Sequence, residues 1–219
     1  MNYFLTEMAW QFLIIEQVTK LPLDPFEIAG RNGWEIYSYF EFSALVHVTV
    51  DKLIKEYEHD GFTFWSNKRK RFIIVYNAQL PFNVCRWTLA HEIGHIFLNH
   101  ISPANTTLSR VRTDAETRTL FEREAQGFAQ RILCPSIVLH DCGVSEPEEI
   151  MLLCGISREA AEHRSEYIKR LEKRKKFLTH PLEKQVEQQF SNFTKEYRLN
   201  RIKKIAKEKQ YEFAQELCA

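Results

Sequence analysis

Apolar residues recur at helical spacing at the two ends of the chain. Over residues 4–18 they fall three to four positions apart, which predicts an amphipathic helix. After residue 180 the same spacing returns and predicts a long final helix with one apolar face. That face carries Leu182, Val186, Phe190, Phe193 and Tyr197. We expect both helices to pack these faces against a core.

Between the two ends lie runs that favour strands. Residues 34–40, 61–65 and 71–77 are rich in aromatic and β-branched side chains, and a basic turn separates the last two runs, so these two predict a hairpin. The sequence DPFE at 24–27 is typical of a helix start, with Asp as the cap and Pro in the first turn. A further short helix is expected over residues 50–58.

Two longer helices are predicted in the middle of the chain. Asn83 can cap a helix over residues 84–100, and Asp114 can cap another helix that Pro135 stops. A polar loop joins them. The alternation of short strands and helices predicts an α+β fold.

The last third of the chain predicts a separate helical region. Two short helices, over 147–154 and 158–176, meet at a turn around Gly155 and have the shape of a helix-turn-helix. Basic residues outnumber acidic ones after residue 161, and the reverse holds before it. We therefore expect a main domain at 1–145, a helix-turn-helix-like segment at 146–176 and a helical tail at 177–219.

Composition excludes several classes of protein. A net charge of +1 argues against a general nucleic-acid binder, and the acidic residues of the second short helix argue against DNA contact there. No apolar run is long enough for a membrane span, and the N-terminus lacks the basic region of a secretory signal. The 5 cysteines are odd in number and contain no C-x-x-C. We expect reduced, buried thiols, no membrane partner and a cytoplasmic location.

The segment RWTLAHEIGHIFLNH carries the chemistry. It contains His91-Glu92-Ile93-Gly94-His95, an H-E-x-x-H sequence inside a predicted helix. Residues four apart lie on one face of a helix, so the two imidazoles can bind one metal ion. Zinc accepts such ligands, keeps a position open for water and acidifies it. Glu92 is then placed to act as the general base.

A catalytic zinc site with two histidines lacks one protein ligand. No histidine follows at the spacing that a third histidine ligand requires, and His100 is predicted to turn away from the ligand face. The next helix offers Glu122 and Glu124, which fall at opposite margins of its buried stripe. Helical periodicity alone does not choose between them.

Two segments of the chain, RWTLAHEIGHIFLNH and FEREAQGFAQRILCP, resemble the ImmA/IrrE family of metallo-endopeptidases. The matching residues are Thr88, Ala90, His91, Glu92, Gly94 and His95, then Glu124, Ala125, Phe128, Ala129, Leu133 and Pro135. The resemblance covers about residues 20–172. It implies a minimal zincin-like peptidase domain, in which a small antiparallel sheet packs on the zinc-ligand helices, followed by the helix-turn-helix-like extension.

The resemblance also implies roles for residues. Zn²⁺ would be held by His91, His95 and Glu124, with Glu92 as the catalytic base. The strand RFIIVYN would be the edge of the sheet beside the cleft, where an extended substrate could add through Ile74, Val75, Tyr76 and Asn77. The family typically cleaves a transcriptional repressor with a helix-turn-helix domain, which relieves repression. A protein substrate of that kind is the expected partner.

Two questions remain open at this stage. An oxyanion-stabilising residue should exist, and the 101–115 loop with Arg110 and Arg112 is one candidate source. The alternative function is a zinc-stabilised module, or a toxin–antitoxin component, that regulates a repressor by contact without cutting it. The intact Glu92 disfavours a pure binding module, because such a module needs no base.

Overall fold

A computed structural model describes residues 3–57, 59–103 and 114–217. Within these ranges the elements follow in the order α1 (Tyr3–Ile15), α2 (Pro25–Arg31), β1 (Glu35–Ser38), α3 (Tyr39–Val46), α4 (Val50–Glu56), β2 (Gly61–Ser66), β3 (Arg71–Tyr76), α5 (Phe82–Phe97), α6 (Ala115–Leu133), α7 (Ser136–Cys142), α8 (Pro147–Cys154), α9 (Arg158–Lys173) and α10 (Pro181–Leu217). The α+β class predicted from the sequence is confirmed.

Side-chain caps explain where several helices begin. The Asp24 carboxylate accepts from the backbone N–H of Phe26 at 2.9 Å, as the DPFE pattern predicts for α2. Asp114 accepts from the N–H of Thr117 at 2.9 Å and starts α6. The prediction for Asn83 is wrong, because α5 begins earlier, with Pro81 at its N-cap position and no side-chain cap.

The strand expected over 34–40 is shorter than predicted. It ends at Ser38, where a capping box starts α3 instead. The Ser38 hydroxyl accepts from the Glu41 N–H at 3.2 Å, and the Glu41 carboxylate accepts from the Ser38 N–H at 2.7 Å. These local hydrogen bonds outweigh the strand preference of the aromatic residues that follow. A further helix, α7, follows directly after Pro135.

The sheet is mixed and not purely antiparallel as expected. Its strand order is β1-β3-β2, in which β3 pairs with β2 antiparallel and with β1 parallel. β3 is therefore the central strand. This corrects the prediction that RFIIVYN forms the edge.

The four residues expected to bind substrate along this strand are accordingly enclosed. Ile74 and Val75 are fully buried. The strand that contains them is already paired on both sides, with β1 and with β2. Burial raises the pKa of the Tyr76 phenol, whose ring packs edge-on against Phe26. Asn77 donates its backbone N–H to the Asp60 carbonyl at 2.8 Å. In residues 73–76 no side of the strand is free to pair with a substrate. The open edges of the described sheet are those of β1 and β2.

One apolar core joins most of the helices. It contains Phe12 and Leu13 of α1, Leu89 and Ile93 of α5, Phe128 and Ile132 of α6, Ile137 of α7, Ile150 of α8, Ile168 of α9 and Val186 and Phe190 of α10. The first part of α10 thus packs in the same core as the helices of the main domain. A second cluster covers the sheet beside α3 and α4.

A buried arginine joins the helical pair α8–α9 to α5. Gly155 ends α8 with a left-handed φ of 63°. The Arg86 guanidinium donates to the carbonyls of Cys154, at 3.0 Å, and Gly155, at 2.6 Å. It also donates to the Leu23 carbonyl ahead of α2. The turn between the two short helices is therefore held against the helix that carries the H-E-x-x-H sequence.

None of the described helices, the 37-residue α10 included, has a stretch that is long and apolar enough to cross a membrane.

Candidate metal centre

The two histidines of the H-E-x-x-H sequence converge on one point. His91 and His95 lie one turn apart in α5, and their Nε2 atoms are 3.0 Å from each other. The His95 side chain is 1% exposed and that of His91 15%. Both imidazoles thus turn the same nitrogen toward a shared position that solvent reaches from the His91 side.

A close approach of two helices brings a carboxylate to this position. A Cβ at Gly94 would lie 3.2 Å from both the Cα and the carbonyl oxygen of Ala125 in α6, so the absence of a side chain allows this contact. Glu122 lies one helical turn before Ala125. The helix packing therefore fixes which margin of α6 faces the histidines.

Glu122 completes a group of three possible ligands. One carboxylate oxygen is 3.0 Å from His91 Nε2, and the other is 3.5 Å from His95 Nε2. The ligand atoms of the three residues lie within 4.8 Å of one another. Among the described residues this is the group of His, Cys, Asp or Glu side chains whose geometry suits a metal ion.

The geometry of these donors fits a tetrahedral ion. Zinc bonds of about 2.0–2.1 Å place neighbouring ligands roughly 3.3 Å apart at a tetrahedral angle. The observed separations of 3.0, 3.0 and 3.5 Å bracket that value. Two imidazole nitrogens and one carboxylate also form the donor set that leaves a fourth position open at a catalytic zinc. The residues present therefore fit the metal that the sequence predicts.

Glu92 follows the first histidine and is 1% exposed. A carboxylate is rarely buried to that extent unless it is paired or binds a metal. The structure thus provides a buried acid beside the metal ligands, on the same helix.

Glu124, which the family resemblance implied as the third ligand, lies elsewhere. Its carboxylate is 3.1 Å from His100 Nε2. His100 Nδ1 is in turn 3.2 Å from His95 Nδ1, on the opposite side of the His95 ring from the metal position. Periodicity left Glu122 and Glu124 as alternatives. In the structure Glu122 lies beside the two ligand histidines, and Glu124 lies beside His100, behind the ring of His95.

His100 is a site residue that the sequence reasoning missed. It was expected to turn away from the ligands, whereas it lies against the back of His95. Asn99 has a left-handed φ of 59° after the end of α5 and folds the chain back, so that the His100 N–H donates to the His95 carbonyl at 2.9 Å. An Asn just past a helix end is the signal that could have indicated this return.

The two contacts among His95, His100 and Glu124 form an ordered chain of donors. If His95 binds a metal through Nε2, its Nδ1 carries a proton and can donate it to His100 Nδ1. His100 then carries its own proton on Nε2 and donates to the Glu124 carboxylate. This arrangement fixes the tautomer and orientation of a ligand histidine.

A cavity of about 400 Å³ begins one helical turn from the ligands. Trp87 lies one turn before His91 on α5, and Gln126 lies one turn after Glu122 on α6, and both line this cavity. Residues of the α8–α9 turn and of α9 close its far side. The cavity therefore lies next to the metal position along α5 and α6 and is large enough for a side chain.

The proposed source of an oxyanion donor, Arg110 and Arg112, lies outside the described residues.

Two histidines at this spacing, a carboxylate from the adjacent helix and a buried glutamate beside the first histidine define a metallopeptidase-type centre. The family model for peptidase M78, described as the IrrE N-terminal-like domain, matches residues 45–166, more than half of the chain. The chain therefore belongs to the ImmA/IrrE family of metallopeptidases. No curated protein and no solved structure gives a significant match to it.

Proposed function

We propose that this protein is a zinc-dependent endopeptidase that holds its metal through His91, His95 and Glu122 and uses Glu92 as the general base. The observation that carries the proposal is the convergence of the three donor groups within 4.8 Å in a chain of a metallopeptidase family. Glu122 replaces Glu124 in this assignment, because only Glu122 lies within reach of both histidines.

The reaction is the hydrolysis of a peptide bond. When bound, zinc supplies a Lewis acid that acidifies water and polarises the scissile carbonyl. Glu92 takes a proton from the attacking water and gives it to the leaving amine, so that the side chain ends each cycle ionised. Burial of Glu92 keeps bulk water away from this transfer. His100 and Glu124 hold the His95 ring in the orientation that binding requires.

The proposed substrate is a transcriptional repressor with a helix-turn-helix domain, cut in the cytoplasm. This part rests on the family resemblance. The cavity beside Trp87 and Gln126 supports a substrate with a side chain that enters next to the cleaved bond. A substrate strand that adds to the sheet would use the edge of β1 or β2, since β3 is paired on both sides.

Substitution of the base tests the proposal. The protein is co-expressed with the repressor encoded beside its gene, as wild type, as Glu92→Gln and as the matched control Glu16→Gln, whose side chain is also largely buried, at 12% exposed, but lies outside the metal centre. Glu92→Gln should keep its zinc and lower the cleavage rate by about 10²–10⁴-fold, the usual contribution of a positioned base. Glu16→Gln should cleave normally.

Two outcomes would exclude this mechanism. Repressor fragments that form at the wild-type rate with Glu92→Gln would show that Glu92 is not the base. Release of the repressor from its promoter without any fragment, by wild type and variant alike, would instead indicate a zinc-stabilised binding module or a toxin–antitoxin component.

A further inference from the structure

A second cavity, of about 270 Å³, lies away from the metal centre. It is enclosed by α1, the end of α6, α9, the segment between α9 and α10, and the first turn of α10. The residue of α6 that lines it is Arg131, nine residues after Glu122 and thus about 14 Å farther along that helix. No metal ligand lines it.

The lining of this cavity is strongly basic. It contains Arg131, Arg164, Arg174 and Lys176 against one acidic residue, Glu183. Burial raises the pKa of the Glu183 carboxyl, which weakens it as a counter-charge. Within the described ranges, neither Arg131 nor Arg164 has a carboxylate at ion-pair distance. The cavity therefore holds an excess of positive charge.

Arg164 is the least compensated of these groups. It is 4% exposed, and its buried Nε has no hydrogen-bond partner among the described residues. Burial lowers the pKa of Arg164, which reflects the cost of keeping the charge out of water. A guanidinium does not lose its proton under ordinary conditions, so this cost persists unless an anion offsets it. The sulfur of Cys134 and the ring of Tyr167, 5.0 Å from the guanidinium carbon, compensate only in part.

Arg131 is held so that part of its guanidinium remains available. Its Nε donates to the Thr6 hydroxyl at 3.1 Å, and its Nη1 donates to the Gly127 carbonyl at 2.7 Å. These two bonds fix the plane of the guanidinium and engage two of its three nitrogens. Arg174 and Lys176 are exposed and lie at the rim, where they can reach an anion inside. Buried inner cations and exposed outer ones are well arranged for an anion with several oxygens.

We propose that this cavity is a binding site for a small organic phosphate. A phosphate group presents several acceptor oxygens, and guanidinium groups match it through paired N–H donors. Tyr3, Trp10 and Tyr167 also line the cavity, so the organic part is expected to be planar. The volume of about 270 Å³ suits a small phosphate that carries a ring system.

The test measures phosphate binding to the full-length, zinc-loaded protein by titration calorimetry. The probes are inorganic phosphate and adenosine 5′-monophosphate. The wild type should bind both at one site per chain and the nucleotide more tightly, because aromatic side chains line the cavity. The double variant Arg174→Ala/Lys176→Ala should bind at least about tenfold more weakly, because it loses two charge-assisted contacts.

A matched control separates a built site from general attraction to positive charge. Lys173→Ala/Lys184→Ala removes the same charge from neighbouring exposed positions that do not line the cavity, and it should bind within about twofold of the wild type, as expected for screened surface charges. Equal weakening of both pairs would overturn the proposal. So would a wild-type protein that binds neither probe.

A substitution inside the cavity gives a second and independent readout. Arg164→Met should abolish phosphate binding, while the free protein should melt at the same or a higher temperature, because a buried uncompensated charge is replaced by an apolar side chain of similar length. Phosphate binding that survives Arg164→Met would contradict the proposal. If this variant does not fold, the pair at the rim still decides the question.

Discussion

The contact between His100 and His95 leads to a prediction about metal affinity. His100→Phe keeps the ring that stacks on Phe121, with centroids 4.1 Å apart and planes 10° apart. It removes the 3.2 Å contact to His95 and the 3.1 Å contact to Glu124. Packing is thus retained, and the chain of hydrogen bonds behind the ligand is lost.

The expected effect can be estimated from these contacts. Loss of a partner behind a ligand histidine usually weakens metal binding about 10–100-fold, which corresponds to ~1.4–2.7 kcal/mol. The Glu124 side chain is 20% exposed and can turn to water, so folding stability should change by no more than about 1 kcal/mol. His100→Asn should recover much of the affinity, because its amide oxygen can accept from His95 Nδ1–H.

Competition for zinc with a chromophoric chelator gives the affinity, and circular dichroism with thermal melting reports on the fold. We expect His100→Phe to fold like the wild type, to bind zinc more weakly, and to be rescued in part by His100→Asn. A His100→Phe protein that binds zinc within about twofold of the wild type would refute the reasoning, since the contact would then contribute almost nothing to ligand orientation.

Three further predictions concern packing and thiol chemistry. Gly94→Ala should lose about 1–2 kcal/mol in urea unfolding and bind zinc more weakly, because its Cβ would press on the Ala125 backbone, whereas Gly30→Ala, with open space around it, should be neutral or stabilising. Arg86→Met should lower the free energy of unfolding by roughly 3 kcal/mol or more, because buried carbonyls on two sides of the guanidinium lose their donor. An unchanged urea midpoint would contradict this. Burial raises the pKa of Cys142 to about 12, so iodoacetamide at neutral pH should not label this thiol in the folded protein, as peptide mass spectrometry would show.

The sequence predicts the metal helix and its neighbour well. The H-E-x-x-H helix runs from Phe82 to Phe97, close to the range expected from periodicity, and the following helix ends at Leu133 just before Pro135. Local rules suffice here, because the apolar stripe of each helix, the Asp114 cap and Pro135 are all local signals. The four described cysteines are buried, as expected.

The choice between Glu122 and Glu124 could not come from local rules. Both lie at margins of the buried stripe of α6, and the margin that meets the histidines depends on how α6 lies against α5. The Gly94–Ala125 contact fixes that arrangement, and such a contact between distant segments leaves no periodic signal. The central position of β3 was missed for the same reason, because its parallel pairing with β1 joins residues far apart in the chain.

The start of α3 is a different kind of error, which the sequence itself could have prevented. Ser38 and Glu41 have the spacing of a capping box, and that pattern was available beside the aromatic residues that favoured a strand. The return of His100 toward His95 is similar, since Asn99 stands where a helix-ending left-handed residue is common.

The position of the metal ion tests the central claim most directly. A crystal structure of the zinc-loaded protein, with an anomalous difference map at the zinc edge, locates the ion without reference to any assumed ligand. We expect one peak per chain at about 2.0–2.1 Å from His91 Nε2, His95 Nε2 and a Glu122 oxygen. The Glu124 carboxylate should remain with His100. A peak bound by Glu124 in place of Glu122, or no zinc between the two histidines, would contradict the account.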